Sequence, residues 1–267
     1  MLMNNKKQIL SLSLLSLLLT ACNHDDNDDA IVEAKPLELN ILHINDHHSH
    51  LDEESIKFKA NVGTGDEEFS VASGGFARVA GLINQLVVEK KNALKIHAGD
   101  AVTGDLYYNL SDGKADADAM NTVCFDTFTP GNHEFDAKDA GLKKFIDFLD
   151  QSSCKDKTKI LTANVTFGAS SPLYKNNRIQ KSQIFEKDGV KFAIIGLTVA
   201  KKTKNSSQPN EDTLFADEVE TAQKEIDQYK AQGIKNIILQ THVGYDLDQQ
   251  LAKSLTDVDV IIGGDSH

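Results

Sequence analysis

The sequence predicts an α/β fold, and three observations carry the prediction. From Leu37 onward, short apolar runs alternate with amphipathic stretches, the pattern of strands that carry helices across a sheet. Several of these runs break abruptly into Gly, Asp, Asn or His, as strands do where they hand over to ligand-bearing loops. The segment before Leu37 shows neither pattern, so the fold is expected to begin there.

Residues 1–22 read as an export signal. Lys6 and Lys7 precede an apolar run from Ile9 to Leu19 that leads into small residues. That run is too short to span a bilayer comfortably. Leu19-Thr20-Ala21-Cys22 resembles the lipobox at which bacterial lipoproteins are cut before an acylated cysteine. Cys22 is therefore expected to be a lipid anchor, and Asn23 after it favours the outer membrane in a Gram-negative source. Residues 23–36, rich in Asp and Asn, read as an acidic tether with nothing to pack.

The chain carries 28 basic and 40 acidic residues, a net charge of −12. Without residues 1–21, which hold two lysines and no acid, the balance becomes −14. That field excludes a nucleic-acid polymer as partner on bulk electrostatics. The remainder is long enough for one sizeable core. With Cys22 committed to lipid, Cys124 and Cys154 are the thiols left in an oxidising compartment, and a disulfide between them is expected.

Apolar runs at 37–44, 93–99, 159–165, 191–197, 235–242 and 257–264 predict strands. Phe76, Val79, Ala80, Ile83, Leu86 and Val87 share one helical face, as do Val219, Ala222, Ile226 and Tyr229, so both stripes are core rather than cofactor boxes. The stretch from Asn45 to Gly74 reads as a loop, and one that long in a compact domain points to function.

Four of the predicted strands run directly into metal-binding side chains. NDHHSH brings Asp46 and His48, AGD brings Asp100, THVGYD brings His242, and GGDSH brings Asp265 and His267. A fifth segment, PGNHEFD, brings Asn132, His133 and Asp136. In an open α/β sheet the carboxyl ends of the strands are where ligands bind, so these groups are placed to converge. Carboxylate, imidazole and amide oxygen without thiolate suit Zn²⁺, Mn²⁺, Co²⁺ or Mg²⁺. The donors are too many for one ion. Two divalent metal ions need a shared ligand, and Asp100, able to use each oxygen separately, is the natural bridge.

These motifs, in this order and spacing, resemble the calcineurin-like metallophosphoesterase domain of the bacterial 5′-nucleotidase and UDP-sugar hydrolase family, over about residues 37–267. The resemblance implies a sandwich of two packed sheets flanked by helices, with the dimetal site at the strand C-terminal ends. It implies one ion on Asp46, His48, Asp100 and His267 and a second on Asp100, Asn132, His242 and Asp265. His133 with Asp136 would be the catalytic pair that binds no metal, and His50 and His97 would help to orient the ligands. The chain departs from the common pattern at Asp265, where most relatives have His; a carboxylate there favours harder ions. The motifs further resemble a subgroup of lipoprotein 5′-nucleotidases and NAD nucleotidases.

The implied reaction is hydrolysis of 5′-nucleotides to nucleoside and phosphate by a hydroxide that the two ions make available. Hydrolysis of the pyrophosphate of NAD or a UDP-sugar is an alternative at the same ions. A truncated, inactive surface lipoprotein is another. The resemblance also implies a C-terminal substrate-binding domain, which the sequence through His267 does not include. The expectation for this chain is therefore weak phosphoesterase activity on small activated esters.

Overall fold

The computed structural model describes residues 36–267; the leader, Cys22 and the tether up to Lys35 lie outside the described residues. The first half of the described chain runs through β1 (Asn40–Ile44), β2 (Glu53–Asn61), β3 (Asp66–Gly74), α1 (Phe76–Glu89), β4 (Ala93–His97), α2 (Leu106–Ser111), α3 (Lys114–Asn121), β5 (Thr127–Phe128) and α4 (Lys138–Leu149). It continues through β6 (Lys159–Leu161), β7 (Val165–Thr166), β8 (Ile179–Gln180), β9 (Ser182–Lys187), β10 (Val190–Thr198), α5 (Ala200–Ser206), β11 (Leu214–Phe215), α6 (Glu218–Ala231), β12 (Asn236–His242), α7 (Tyr245–Ser254) and β13 (Val260–Ile262).

Two sheets hold the domain. One has the order β1-β4-β5-β6-β8 and is parallel throughout. The other has the order β13-β12-β10-β9, parallel except for β9 at its edge. Alternation along the buried strands explains why the sheets stack. In β10, Phe192 and Ile194 pack with Leu94, Ile96 and Leu161 of the first sheet, while Ala193, Ile195 and Leu197 pack with Ala222, Ile226 and Leu251 of α6 and α7. On the far side, Phe128 and Ile160 meet Phe76, Met120, Leu142 and Phe145 from α1, α3 and α4. The layers are helix, sheet, sheet, helix, the two-sheet sandwich that the motifs implied. Gly196 of β10 lies close against Leu161 of β6, whose carbonyl oxygen would stand 2.2 Å from a Cβ there.

Most strands are a few residues shorter than predicted, β13 covering Val260–Ile262 of 257–264, whereas β10 outruns its predicted bounds; two differences are larger. The predicted strand over 159–165 is two, because Thr162–Asn164 peel away: the Thr198 N–H donates to Asn164 Oδ1 at 3.0 Å, and Asn164 Nδ2 donates to the Thr198 carbonyl at 2.7 Å. The long loop from Asn45 to Gly74 is mostly a hairpin, β2 with β3, in which Ile56 faces Val71 and Phe58 faces Phe69. The two rings stack 5.6 Å apart. Such cross-strand pairs stabilise a ribbon whose apolar side chains stay about half exposed, so burial never marked it as a strand. On α1, Val87 is 39% exposed and stands off the core face that the periodicity gave it. Cys124 and Cys154 are bonded, as expected, and tie the turn after α3 to the segment after α4.

Candidate metal centre

All the ligand-bearing loops leave the carboxyl ends of parallel strands, so the two sheets deliver them to one end of the sandwich. Asp46 and His48 follow β1, Asp100 follows β4, Asn132 follows β5, His242 closes β12, and Asp265 and His267 follow β13. Three overlapping sets of donors form there, Asp46-His48-His267, His48-Asp100-His133 and Asp46-Asp100-His242, each with its donor atoms within 4.8 Å of one another.

Asp46 Oδ1 stands 3.7 Å from His48 Nε2, 3.8 Å from His267 Nε2 and 3.9 Å from His242 Nε2. Its other oxygen accepts from the Asp265 N–H at 2.9 Å and from Asn45 Nδ2. Asp100 is wholly buried. Its Oδ1 accepts from the His133 N–H at 2.9 Å. Oδ2 alone faces both sides, 2.9 Å from His242 Nε2 and 3.8 Å from His48 Nε2.

His242 shows what the cluster demands. Its Nδ1–H donates to the Ala98 carbonyl at 2.6 Å, which leaves Nε2 facing carboxylate oxygens, where it must carry a proton or ligate a cation. Asp46 Oδ1, Asp100 Oδ2, Asn132 Oδ1 and His242 Nε2 are all buried without a hydrogen-bond partner among the described residues. Buried polar atoms are ordinarily paired, and acceptors that face one another need a cation between them. Burial lowers the pKa of His242, but Asp100 and Asp46 outweigh it and push it up to about 9. Burial would raise Asp46, yet His48, His242 and Asn45 hold it well below the usual carboxylate range. Divalent ions meet the same demand at several oxygens and nitrogens at once. Gly131 confirms the close fit, since a Cβ there would lie 2.6 Å from His242 Nε2.

The non-ligand pair is formed as well. His133 Nδ1–H donates to Asp136 Oδ2 at 2.6 Å, and its ring packs edge-on to His48 at 4.9 Å. The hydrogen bond to Asp136 raises the pKa of His133 against partial burial. Both residues line an open cleft of about 780 Å³ with Asp46, His48, Thr103 and Asp105. His50 donates from Nδ1 to Asp105 Oδ2 at 2.9 Å on its wall.

Two residues at the centre were not foreseen. Lys202 on α5 forms an ion pair with Asp265 Oδ1, which is also 3.6 Å from His242 Nε2. Nothing in the sequence around Lys202 signals this. Glu134, by contrast, stands inside the GNHE motif, between the site residues His133 and Asp136. It accepts from the N–H groups of Asp100 at 3.0 Å, Ala101 at 2.8 Å and Gly131 at 2.6 Å. One carboxylate thus holds the β4 and β5 ligand loops together.

A two-sheet α/β sandwich that gathers carboxylate, imidazole and amide donors at the facing strand ends defines a metal-dependent hydrolase domain. The chain belongs to the calcineurin-like phosphoesterase family, whose model matches residues 39–267, and its cofactors are two divalent metal ions. It is 42% identical to the NAD 5′-nucleotidase of Haemophilus influenzae over 267 residues, which is all of this chain and 42% of that protein. The structure of Haemophilus influenzae NAD nucleotidase matches with a TM-score of 0.78 and 45% identity over 86% of this chain and 39% of that one. The crystal structure of the 5′-nucleotidase precursor from Thermus thermophilus matches with a TM-score of 0.69 and 31% identity over 85% and 41%. The chain spans about two fifths of the length of these relatives.

Proposed function

We propose that this domain hydrolyses nucleotide phosphate esters, with 5′-nucleotides as the substrate class. The observation that carries the reading is the convergence of four unpaired buried ligand atoms, on Asp46, Asp100, Asn132 and His242, beside a carboxylate-bound histidine that lines an open cleft with Asp46. The name of the Haemophilus influenzae relative supports a second reading, in which NAD is also a substrate.

Asp46, His48 and His267 would hold one ion, Asn132, His242 and Asp265 the other, and Asp100 Oδ2 would reach both. Two divalent ions bound there supply the positive charge that neutralises phosphoryl oxygens and brings the pKa of a water near neutrality. The His242 tautomer is fixed by Ala98, so its ring cannot turn away. The Asp100 side chain is fixed by the His133 N–H. With Nδ1–H committed to Asp136, His133 has Nε2 left to hold a proton for the leaving oxygen and to face the charge that develops on the phosphoryl group.

Chelation tests the reading directly. Treating the chain with EDTA is expected to abolish hydrolysis of p-nitrophenyl phosphate and 5′-AMP, and adding back Zn²⁺, Mn²⁺, Co²⁺ or Mg²⁺ to restore it. Hydrolysis that survives complete metal removal would refute it. Release of phosphate from AMP and of AMP from NAD separates the two substrate readings.

The role of His133 has its own test. Asp136 raises its pKa, so protonated His133 persists to higher pH than it would alone. Asp136→Asn removes that charge, and the alkaline limb of kcat is expected to move to lower pH. His133→Ala is expected to lower kcat on the order of 100-fold. A pH–rate profile with an unmoved alkaline limb in Asp136→Asn would assign His133 a structural role instead.

We further infer export and acylation at Cys22, supported by the charged and apolar leader and the lipobox-like Leu19-Thr20-Ala21-Cys22. Labelled palmitate should enter the expressed protein and be lost in Cys22→Ser; equal labelling of both would count against it.

A further inference from the structure

His47 sits between two of the metal-binding residues and binds nothing at the cluster itself. Its ring turns inward instead, edge-on to Phe76 at 5.2 Å, and its Nδ1 meets His97 Nε2 at 2.9 Å. His97 is wholly buried, with its ring edges against Phe125 at 5.3 Å and Phe128 at 5.5 Å. At the other end of the pair, His47 Nε2 and Asp116 Oδ1 stand 3.3 Å apart, and neither has another hydrogen-bond partner among the described residues. Asp116 lies in the first turn of α3, is wholly buried, and accepts from the Ser49 hydroxyl at 2.9 Å through Oδ2.

The direction of every proton in this chain can be worked out. The Gly99 N–H donates to His97 Nδ1 at 3.2 Å, so that nitrogen is an acceptor. Burial, reinforced by His47 and His43, keeps His97 neutral, with its pKa well below the usual histidine range. A neutral ring that accepts at Nδ1 must carry its hydrogen on Nε2 and donate it to His47 Nδ1. His47 in turn carries its hydrogen on Nε2, which points at Asp116. All donors run one way, from Gly99 on the β4 loop to the carboxylate on α3.

Residues next to the relay hold left-handed backbone. Asp46, His48, Ser49 and Asp100 all have positive φ, at 51°, 45°, 56° and 51°. None is Gly, and such conformations persist only where the surroundings over-determine them. Part of that restraint is backbone, since the N–H groups of Asp46, His48 and Ser49 donate to the carbonyls of Gly99, Asp100 and Ala101 at 2.9, 3.1 and 3.0 Å. The rest is the ring relay beneath them, which clamps His47 from both sides and Ser49 from below.

We propose that Asp116 is a positioning residue for the metal centre, acting through His47 and His97 to hold the 46–49 and 99–101 turns in their left-handed conformations. It touches neither ion nor substrate. Its carboxylate is the acceptor that faces His47 Nε2 and takes the Ser49 hydroxyl, and it thereby holds the backbone that aims Asp46, His48 and Asp100.

Imidazole tautomers are read from long-range ¹H–¹⁵N spectra of the ¹⁵N-histidine-labelled full chain. Both His47 and His97 are expected as Nε2–H tautomers. An Nδ1–H tautomer at either ring overturns the relay, and this holds even if a variant fails to fold. In Asp116→Ala the His47 Nε2–H and the Ser49 hydroxyl lose their shared acceptor, and Mn²⁺ affinity, measured by calorimetry, should fall about tenfold. Asp116→Asn should restore the affinity, because the Asn oxygen accepts from His47 while its amide faces a Ser49 hydroxyl that can turn to accept. Wild-type Mn²⁺ affinity in Asp116→Ala overturns the positioning role. Only the Mn²⁺ arm rests on the two-ion reading. An unsubstituted chain that binds no Mn²⁺ would refute that reading and leave the tautomers to decide this one.

Discussion

Asp100→Ala is expected to strip the domain of both ions and to lower kcat by about 10³-fold or more. The size follows from what one oxygen does. Asp100 Oδ2 is the carboxylate atom that faces His242 at 2.9 Å on one side and His48 at 3.8 Å on the other. Its loss leaves each group of donors without the anion that joins them. The charge stabilisation at stake is several kcal/mol, and each 1.4 kcal/mol is about a factor of ten in rate. The substitution also frees the His133 N–H, a buried donor worth about 1–3 kcal/mol when left unpaired. Asp100→Asn separates the two effects, because an Asn oxygen can keep the His133 N–H while the negative charge is gone. Metal content and kcat should both fall in Asp100→Asn while the melting temperature holds. Asn132→Ala, which removes one donor from one side, should cost fewer decades. Full metal content and unchanged turnover in Asp100→Asn would end the shared-ligand account.

Much of this centre was legible in the sequence because metal ligation needs particular atoms at strand ends, and strands ending in Asp, Asn or His are visible as strings. Asp46, His48, Asp100, His242 and the 265–267 segment were each announced by an apolar run that stops. The two-sheet sandwich was legible only through the motifs, since alternation within β10 shows that both faces are buried but not what buries them. What stayed hidden has physical reasons. The β2–β3 hairpin keeps Ile56 at 47% and Phe58 at 46% exposure, so its stability is cross-strand and not core-directed. Lys202 reaches Asp265 across 63 residues of sequence, and an ion pair at that separation leaves no local trace. Asp116 reads as one of two acids in KADADA, and only its burial distinguishes it from Asp118. The split of labour between the oxygens of Asp100 depends on where the His133 amide points, which composition cannot encode.

Glu134→Gln should destabilise the domain strongly although it changes one atom. Glu134 is buried and, when ionised, is an acceptor only: Oε2 takes the N–H groups of Asp100 and Gly131, and Oε1 takes those of Ala101 and, at 3.4 Å, Val102. Gln can keep its carbonyl oxygen on one side. On the other it must present an NH₂ group to backbone donors, so two buried N–H groups lose their acceptor and meet another donor. At about 1–3 kcal/mol for each orphaned buried donor, the cost is about 4 kcal/mol, or a melting temperature lower by on the order of 10 °C. The same loops carry Asp100 and Asn132, so metal affinity should fall with stability. The pH dependence gives a second signature. Burial, together with the Asp100 charge, pushes Glu134 up to about 7 from an ordinary value near 4.5, against the pull of the backbone N–H groups. Across that window the folded state keeps a proton that the unfolded chain has released. In metal-free protein, Glu134 therefore makes stability fall as pH rises from about 4.5 to about 7. Gln has no proton to release, so the variant should be less stable throughout yet lose that part of the slope. Denaturant titrations across this range, on EDTA-treated wild type and Glu134→Gln, would show both effects. Parallel stability profiles in the two proteins would mean that Glu134 titrates normally, and equal midpoints would mean that it does not hold the loops.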